Sequence, residues 1–134
     1  MNTMKVTIAT PNGEVFSSED IKLLTLETHT GSLGIMANHE PLVTTLKIGV
    51  LKVVNNKDAY TYFAVSEGFA ECHGKDVSIL VQSAESAATI DIARAERAKV
   101  RAEQRISLKG DNDLVRAELA LAKAITRLKV VGMK

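Results

Sequence analysis

Residues 77–105 read VSILVQSAESAATIDIARAERAKVRAEQR, and the chain changes character inside this stretch. VSILVQS is strand-like and forms a hairpin with FAECH, residues 69–73, across the turn Gly74-Lys75-Asp76. Near Ala84 that pattern stops. Beyond Asp91, Ala95, Ala98 and Ala102 recur at three- and four-residue steps, the period of a helix. Strands before this point and helices after it predict an α+β architecture. Residues 1–86 should form an antiparallel β-sandwich, and residues 87–134 a two-helix antiparallel hairpin.

Upstream, MKVTIAT sets Val6 and Ile8 on one face and Thr7 on the other. The turn Pro11-Asn12-Gly13 follows, then a short strand EVF. IKLLTLET, ending at Thr28, reads as a separate half-buried strand. Residues 42–54 are long enough for two strands, or for one bent at Gly49. Asn55-Asn56-Lys57-Asp58 makes a hairpin turn, with AYTYFAV returning. The stretch TGSLGIMANHEPL, residues 30–42, reads as a tight loop at one end of the sandwich. Short strands at this spacing suit a sandwich or a flattened barrel.

Downstream, Asp91 can cap the first helix. Gly110 suits its end, and Asp111 or Asp113 the start of the next. The second helix carries Leu114, Ala117, Leu121, Ala124, Leu128 and Val131 on one stripe. Alanines on both helices permit close approach but bury little area, so the hairpin must lean on the sandwich or on a partner.

Composition follows the same division. All six arginines lie between Arg94 and Arg127, and all five aromatic residues precede residue 70. Residues 1–88 carry six lysines against ten acids, a net of −4, while residues 89–134 carry eleven basic groups against six acids, a net of +5. The tail should therefore meet something acidic: a protein face, a nucleotide or a nucleic acid. Cys72 has no partner for a disulfide, which points to a reducing compartment. The first ten residues do not read as a signal peptide, and no stretch is apolar enough to span a bilayer.

The arginines are the leading chemical feature. Arg94, Arg97, Arg101 and Arg105 share a face of the first helix, and Arg116, Lys123 and Arg127 a face of the second. Such stripes usually line a solvated surface. If the helices fold together, Arg94, Arg101, Lys123 and Arg127 converge on one anion, and several arginine forks suit a polyphosphate. The helix start Ile90-Asp91-Ile92-Ala93-Arg94-Ala95 offers backbone N–H groups to an anion, with Asp91 either capping or accepting from a neutral donor.

Other chemistries lack support. There is no phosphate-binding glycine loop ending in Lys-Ser or Lys-Thr. His29, His39 and His73 lack metal-ligand spacing. Cys72 and His73 are adjacent strand residues that point to opposite faces, a poor nucleophile pair. Nothing marks the chain as an enzyme. A small adaptor with a basic nucleic-acid-binding hairpin is the alternative, although the tail has no aromatic or glycine-rich RNA signature.

TGSLGIMANHEPL resembles the GELGILPGHxPL signature of the epsilon subunit of bacterial rotary ATP synthases. TPNGEVF, AVSEGFAEC, VSILVQSAE and RAELALAKAITRL resemble further motifs of that family, in order along nearly the whole chain. The resemblance implies a sandwich followed by a helical hairpin, in a non-catalytic subunit of the central stalk. It implies contact with the gamma subunit and the c-subunit ring, the latter through a loop carrying Gly31, Ser32, Leu33, Gly34 and His39. It implies a peripheral place on the cytoplasmic side of the bacterial membrane, reached only through the complex. The family's hairpin permits ATP hydrolysis when folded. Extended toward acidic beta-subunit segments, it blocks hydrolysis.

Bacillus-type members also bind ATP, as a regulatory ligand and not a required cofactor, through an I/L-D-x-x-R-A motif. That motif stands here as Ile90, Asp91, Arg94 and Ala95 with two residues between, and the family's further contacts fall on Glu85, Arg101 and Arg127. Lys123 stands where close relatives have arginine, which keeps the charge and loses the fork. Ser32 replaces an acid, Ala37-Asn38 replace Pro-Gly, and Glu67 replaces the first glycine of a pair.

Overall fold

Met4, Val6 and Ile8 alternate with Lys5 and Thr7, so the first strand has one apolar face, and all three of those side chains are buried. The computed structural model describes residues 2–107 and 114–133. Its strands are β1 (Met4–Thr10), β2 (Gly13–Thr28), β3 (Gly31–Ile35), β4 (His39–Leu46), β5 (Gly49–Asn55), β6 (Tyr60–Val65), β7 (Gly68–Gly74), β8 (Asp76–Val81) and β9 (Ala84–Ser86). A 3-10 turn (Ala87–Thr89) leads to the helices α1 (Ile92–Ser107) and α2 (Leu114–Val131). The readings at Gly110, Asp111 and Asp113 lie outside the described residues.

Two expectations about the strands are corrected. EVF and IKLLTLET belong to one strand of 16 residues. The polar run Ser17-Ser18-Glu19 interrupts hydrophobicity but not pairing, since Ser17 and Ser18 stay in register with Thr7 and Val6 of β1. A register shift between Ile21 and Leu23 then moves the buried face from Ile21 to Leu24 and Leu26. Residues 30–42 are not a loop but β3, a turn at 36–38, and the start of β4. The backbone of β3 is satisfied by β2, where Leu24 faces Ile35 and Thr28 faces Gly31. Gly31, with φ +123, occupies a conformation that favours glycine. Pro41 is tolerated inside β4 because the β4–β7 register shifts between His39 and Leu42.

β2 holds the two layers together. Its first part pairs with β1, while its second part pairs with β3 on one side and β5 on the other. Pairing in the order β1, β8, β7, β4, β2 and back to β1 closes a flattened barrel, from which β5, β6 and β9 extend. The β1–β8 pair is parallel and every other pair is antiparallel. Ile8, Leu24, Ile35, Leu51 and Ile79 fill the space between the layers without exposure. Each such side chain contributes about 1.5–3 kcal/mol of burial. Residues 42–54 do divide at Gly49, into β4 and β5.

α1 and α2 meet through alanines. Ala95 and Ala102 face Ala117 and Ala124, all buried, each pair seven residues apart. Ala98 is half-buried, and so are Leu121, Leu128 and Val131. Leu114 of the expected stripe is exposed, because it begins α2 about 24 Å along the axis from the docked end. The sandwich contact is made by α2, on β5, β6 and the 3-10 turn. Val130, fully buried, forms a small second core with Ala64, Ala87 and Ile90. The hairpin leans on the sandwich, but over little apolar area.

Candidate anion-binding site

α1 begins where the sandwich ends, and α2 returns beside the same point. Asp91 caps α1: its Oδ1 accepts the Arg94 backbone N–H at 3.0 Å, and its carbonyl accepts Ala95 N–H at 3.0 Å. The cap fixes the direction of the first turn and so the positions of Arg94, Arg97 and Arg101 along one face of α1. From α2, Arg127 Nε donates to Glu85 Oε1 at 2.6 Å. Glu85 is itself placed by β9, where it faces Ala64 of β6.

These elements enclose a cleft of about 680 Å3. Arg94, Arg97, Arg101 and Arg127 line it together with Glu85 and Asp91. Among the described residues, Arg94, Arg97 and Arg101 form no ion pair. Ile90 is buried in the second core and forms part of the lining, while Ala95 and Ala98 leave room because their side chains end at a methyl. The volume suits a ligand of nucleotide size, since small-molecule clefts run about 300–1,000 Å3. Four guanidiniums favour an anion with several oxygens. The two carboxylates can accept from amino or hydroxyl groups. Asp91 already occupies the Arg94 N–H, so that donor is taken before any anion binds.

Glu85, Ile90, Asp91, Arg94, Ala95, Arg101 and Arg127 are thus brought together. Lys123 is not. Its Nζ lies 3.5 Å from Glu67 Oε1, and it does not line the cleft. Arg116 stands eleven residues before Arg127, about 16 Å along α2, and also stays outside. Thr89, Arg97 and Ala98 line the cleft without having been singled out for it. Arg97 was visible in the arginine stripe, three residues from Arg94, whereas Thr89 carried no signal beyond its place beside Ile90.

The second predicted set lies in and after β3. Gly31 and Gly34 pair with Thr28 and Thr25 of β2. Ser32 Oγ donates to the Glu27 carboxylate at 3.3 Å. Leu33 packs against the main core, so its side chain is only partly available. His39 begins β4; its N–H donates to Met36 O at 3.2 Å, and Met36 is 63% exposed at the turn. Cys72 is buried and His73 exposed, on opposite faces of β7. No described helix is long and apolar enough to cross a membrane.

Comparison with known proteins gives this geometry a context. Residues 3–87 match the ATP synthase delta/epsilon chain beta-sandwich domain, and residues 89–132 the long alpha-helix domain of the same chain. The ATP synthase epsilon chain of Staphylococcus aureus (strain JH9) is 44% identical over 135 residues, covering 100% of both chains. A chain of the Euglena gracilis mitochondrial ATP synthase OSCP/F1/c-ring structure shares the fold with a TM-score of 0.82 at 24% identity, over 96% of this chain and 81% of that one. A chain from the Tetrahymena thermophila central stalk/c-ring structure aligns with a TM-score of 0.56 at 20% identity, over 99% and 98% of the two chains. The two family matches follow one another along nearly the full length, and the full-length relative leaves no part of the chain unaccounted for: the chain belongs to the ATP synthase delta/epsilon family, on its epsilon side.

Proposed function

We propose that the chain is a non-catalytic central-stalk subunit whose folded hairpin binds ATP as a regulatory ligand. The carrying observation is the cleft lined by Arg94, Arg97, Arg101 and Arg127 at the junction of α1, α2 and β9. In this reading the guanidiniums of Arg94, Arg101 and Arg127 take the phosphates. Asp91 and Glu85 accept from the amino or hydroxyl groups of the nucleoside, and Ile90 and Ala95 supply apolar contact. ATP then bridges both helices and the sandwich, and holds the hairpin in its folded state by mass action.

The remaining parts of the proposal follow family membership. The sandwich binds the gamma subunit and meets the c ring through the β3–β4 segment, with Ser32, Met36 and His39 at or near its exposed end. The hairpin, released from the sandwich, turns its basic residues to acidic segments of the beta subunits and restrains hydrolysis. The subunit sits at the cytoplasmic side of the membrane, held there by the complex, and contributes to ATP synthesis coupled to proton transport.

Titrating the full-length chain with ATP tests the site. At a hundredfold excess over the dissociation constant, a ligand of the folded form stabilises it by about 2.7 kcal/mol. Melting temperature should rise, and exchange of α2 amides should slow. No change in either at millimolar ATP would reject the nucleotide reading.

A further inference from the structure

Two carboxylates of the sandwich meet two cations of α2 that stand four residues apart. Arg127 pairs with Glu85 at 2.6 Å, and Lys123 with Glu67 at 3.5 Å. Among the described residues, these are the ion pairs that join the sandwich to the hairpin. Residues four apart share one face of a helix, so α2 presents both cations to the sandwich together. The first pair lines the cleft. The second does not, and the proposed nucleotide site leaves it unused.

Glu67 is offered from a rigid corner between β6 and β7. Its carbonyl accepts Gln82 N–H at 3.1 Å. The preceding residue, Ser66, is buried; its N–H donates to Ser83 O at 3.0 Å, and its Oγ accepts Ser83 N–H at 2.8 Å. The following residue, Gly68, passes so close to β8 that a Cβ there would lie 2.0 Å from Leu80 O. On such a backbone, only side-chain freedom remains to be lost when the carboxylate holds a lysine. The apolar docking surface around Val130 is small, and the opposite charges of head and tail already favour contact. Charge pairs therefore add to the attachment.

We propose that Glu67–Lys123 is an electrostatic latch that keeps the hairpin on the sandwich when no nucleotide is bound. Lys123 is committed to a protein carboxylate rather than to an anion in the cleft. Both side chains are partly exposed, at 43% and 35%, so the latch shifts the docked population only a few-fold and is weakened by salt.

The test uses the full chain without nucleotide. Hydrogen exchange at Ala124 and Val130 reads hairpin opening, and amides of β1 and β8 read the sandwich. Glu67→Gln and Lys123→Gln should each raise the open fraction roughly two- to fivefold at low ionic strength. The double variant should open no further than the singles, because one interaction has been removed in all three. The gap between wild type and Glu67→Gln should close near 1 M salt, where the screening length is about 3 Å. Wild-type exchange in Glu67→Gln at low salt, or full additivity in the double variant, overturns the latch. Should Glu67→Gln disturb its own corner, seen as faster β8 exchange, Lys123→Gln decides alone, and wild-type behaviour there overturns the latch equally. No nucleotide takes part, so failure of ATP to bind would reject the cleft reading and leave this result standing.

Discussion

Arg127 of α2 and Glu85 of β9, 42 residues apart in sequence, meet across 2.6 Å. The contact ties the last helix to the last strand and brings the Arg127 guanidinium into the cleft that Arg94 and Arg101 line. A guanidinium held by one carboxylate is already oriented, so less freedom remains to be lost when an anion shares it. Without the hairpin on the sandwich, Arg127 would leave Glu85 and the cleft would lose the part of its lining that β9 supplies.

Arg94→Ala should lower ATP affinity about 10- to 100-fold. A hydrogen bond to a charged group is worth about 1.5–3 kcal/mol, and about 1.4 kcal/mol is tenfold in affinity. Calorimetric titration measures this. Arg94 is exposed in the unliganded fold, so its melting temperature without ATP should stay close to wild type. Wild-type affinity in this variant would remove Arg94 from the site.

Ala124→Leu should loosen the hairpin and spare the sandwich. Ala124 has no exposed surface, on the helix that packs against both α1 and the sandwich, so a larger side chain must displace its neighbours. Overpacking of this kind costs about 1–3 kcal/mol. Loss of helical signal at lower temperature than the strand signal, followed by circular dichroism, is the expected pattern. A single unshifted transition would show that the alanine seam tolerates size.

Gly68→Ala should destabilise the sandwich itself. The new Cβ would meet backbone atoms of Leu80 and Val81, and β7 and β8 would have to part. The cost should reach at least about 1–3 kcal/mol by denaturant unfolding. Gly34→Ala is the control: its Cβ meets only Leu23 Cδ1 at 3.8 Å, so it should stay within about 0.5 kcal/mol.

Burial pushes the Cys72 thiol above its ordinary pKa. Below that ordinary value both folded and unfolded states keep the proton, and the group has no effect on stability. As pH rises beyond it, the unfolded chain ionises first, so stability falls until the folded value is passed. From about pH 8.5 upward, wild type should therefore lose stability more steeply than Cys72→Ala. Parallel slopes in urea unfolding across that range would show that the thiol does not contribute.

The sequence exposed those features whose cause is local. Val6 and Ile8 alternate because a strand has two faces, and Asp91 precedes a helical run because its carboxylate can hold the Arg94 N–H. Ala95 and Ala102, or Ala117 and Ala124, reveal a close seam by their size and spacing. The continuity of β2 was hidden, because Ser17-Ser18-Glu19 looks like a break when only hydrophobicity is read. β3 was hidden for the opposite reason: glycines at 31 and 34 resemble a loop until β2 supplies their hydrogen-bond partners.

The candidate site divides in the same way. Arg94, Arg97 and Arg101 were legible as one face of one helix, since their spacing needs only the helical repeat. Their meeting with Arg127 and Glu85 needed the hairpin to close and dock. Lys123 shows the limit most clearly. By spacing alone it belongs with Arg127, yet it pairs with Glu67, 56 positions earlier, and does not line the cleft. By itself, the sequence determined both helices and most of the strands, where the charge lies and which family the chain resembles, because periodicity, capping and composition act over a few residues. Only the tertiary structure decided that β1 runs parallel to β8, that residues 31–35 are paired strand, and which cation faces which carboxylate. Those outcomes depend on backbone partners and opposing charges that are distant in the chain and become neighbours only when it folds.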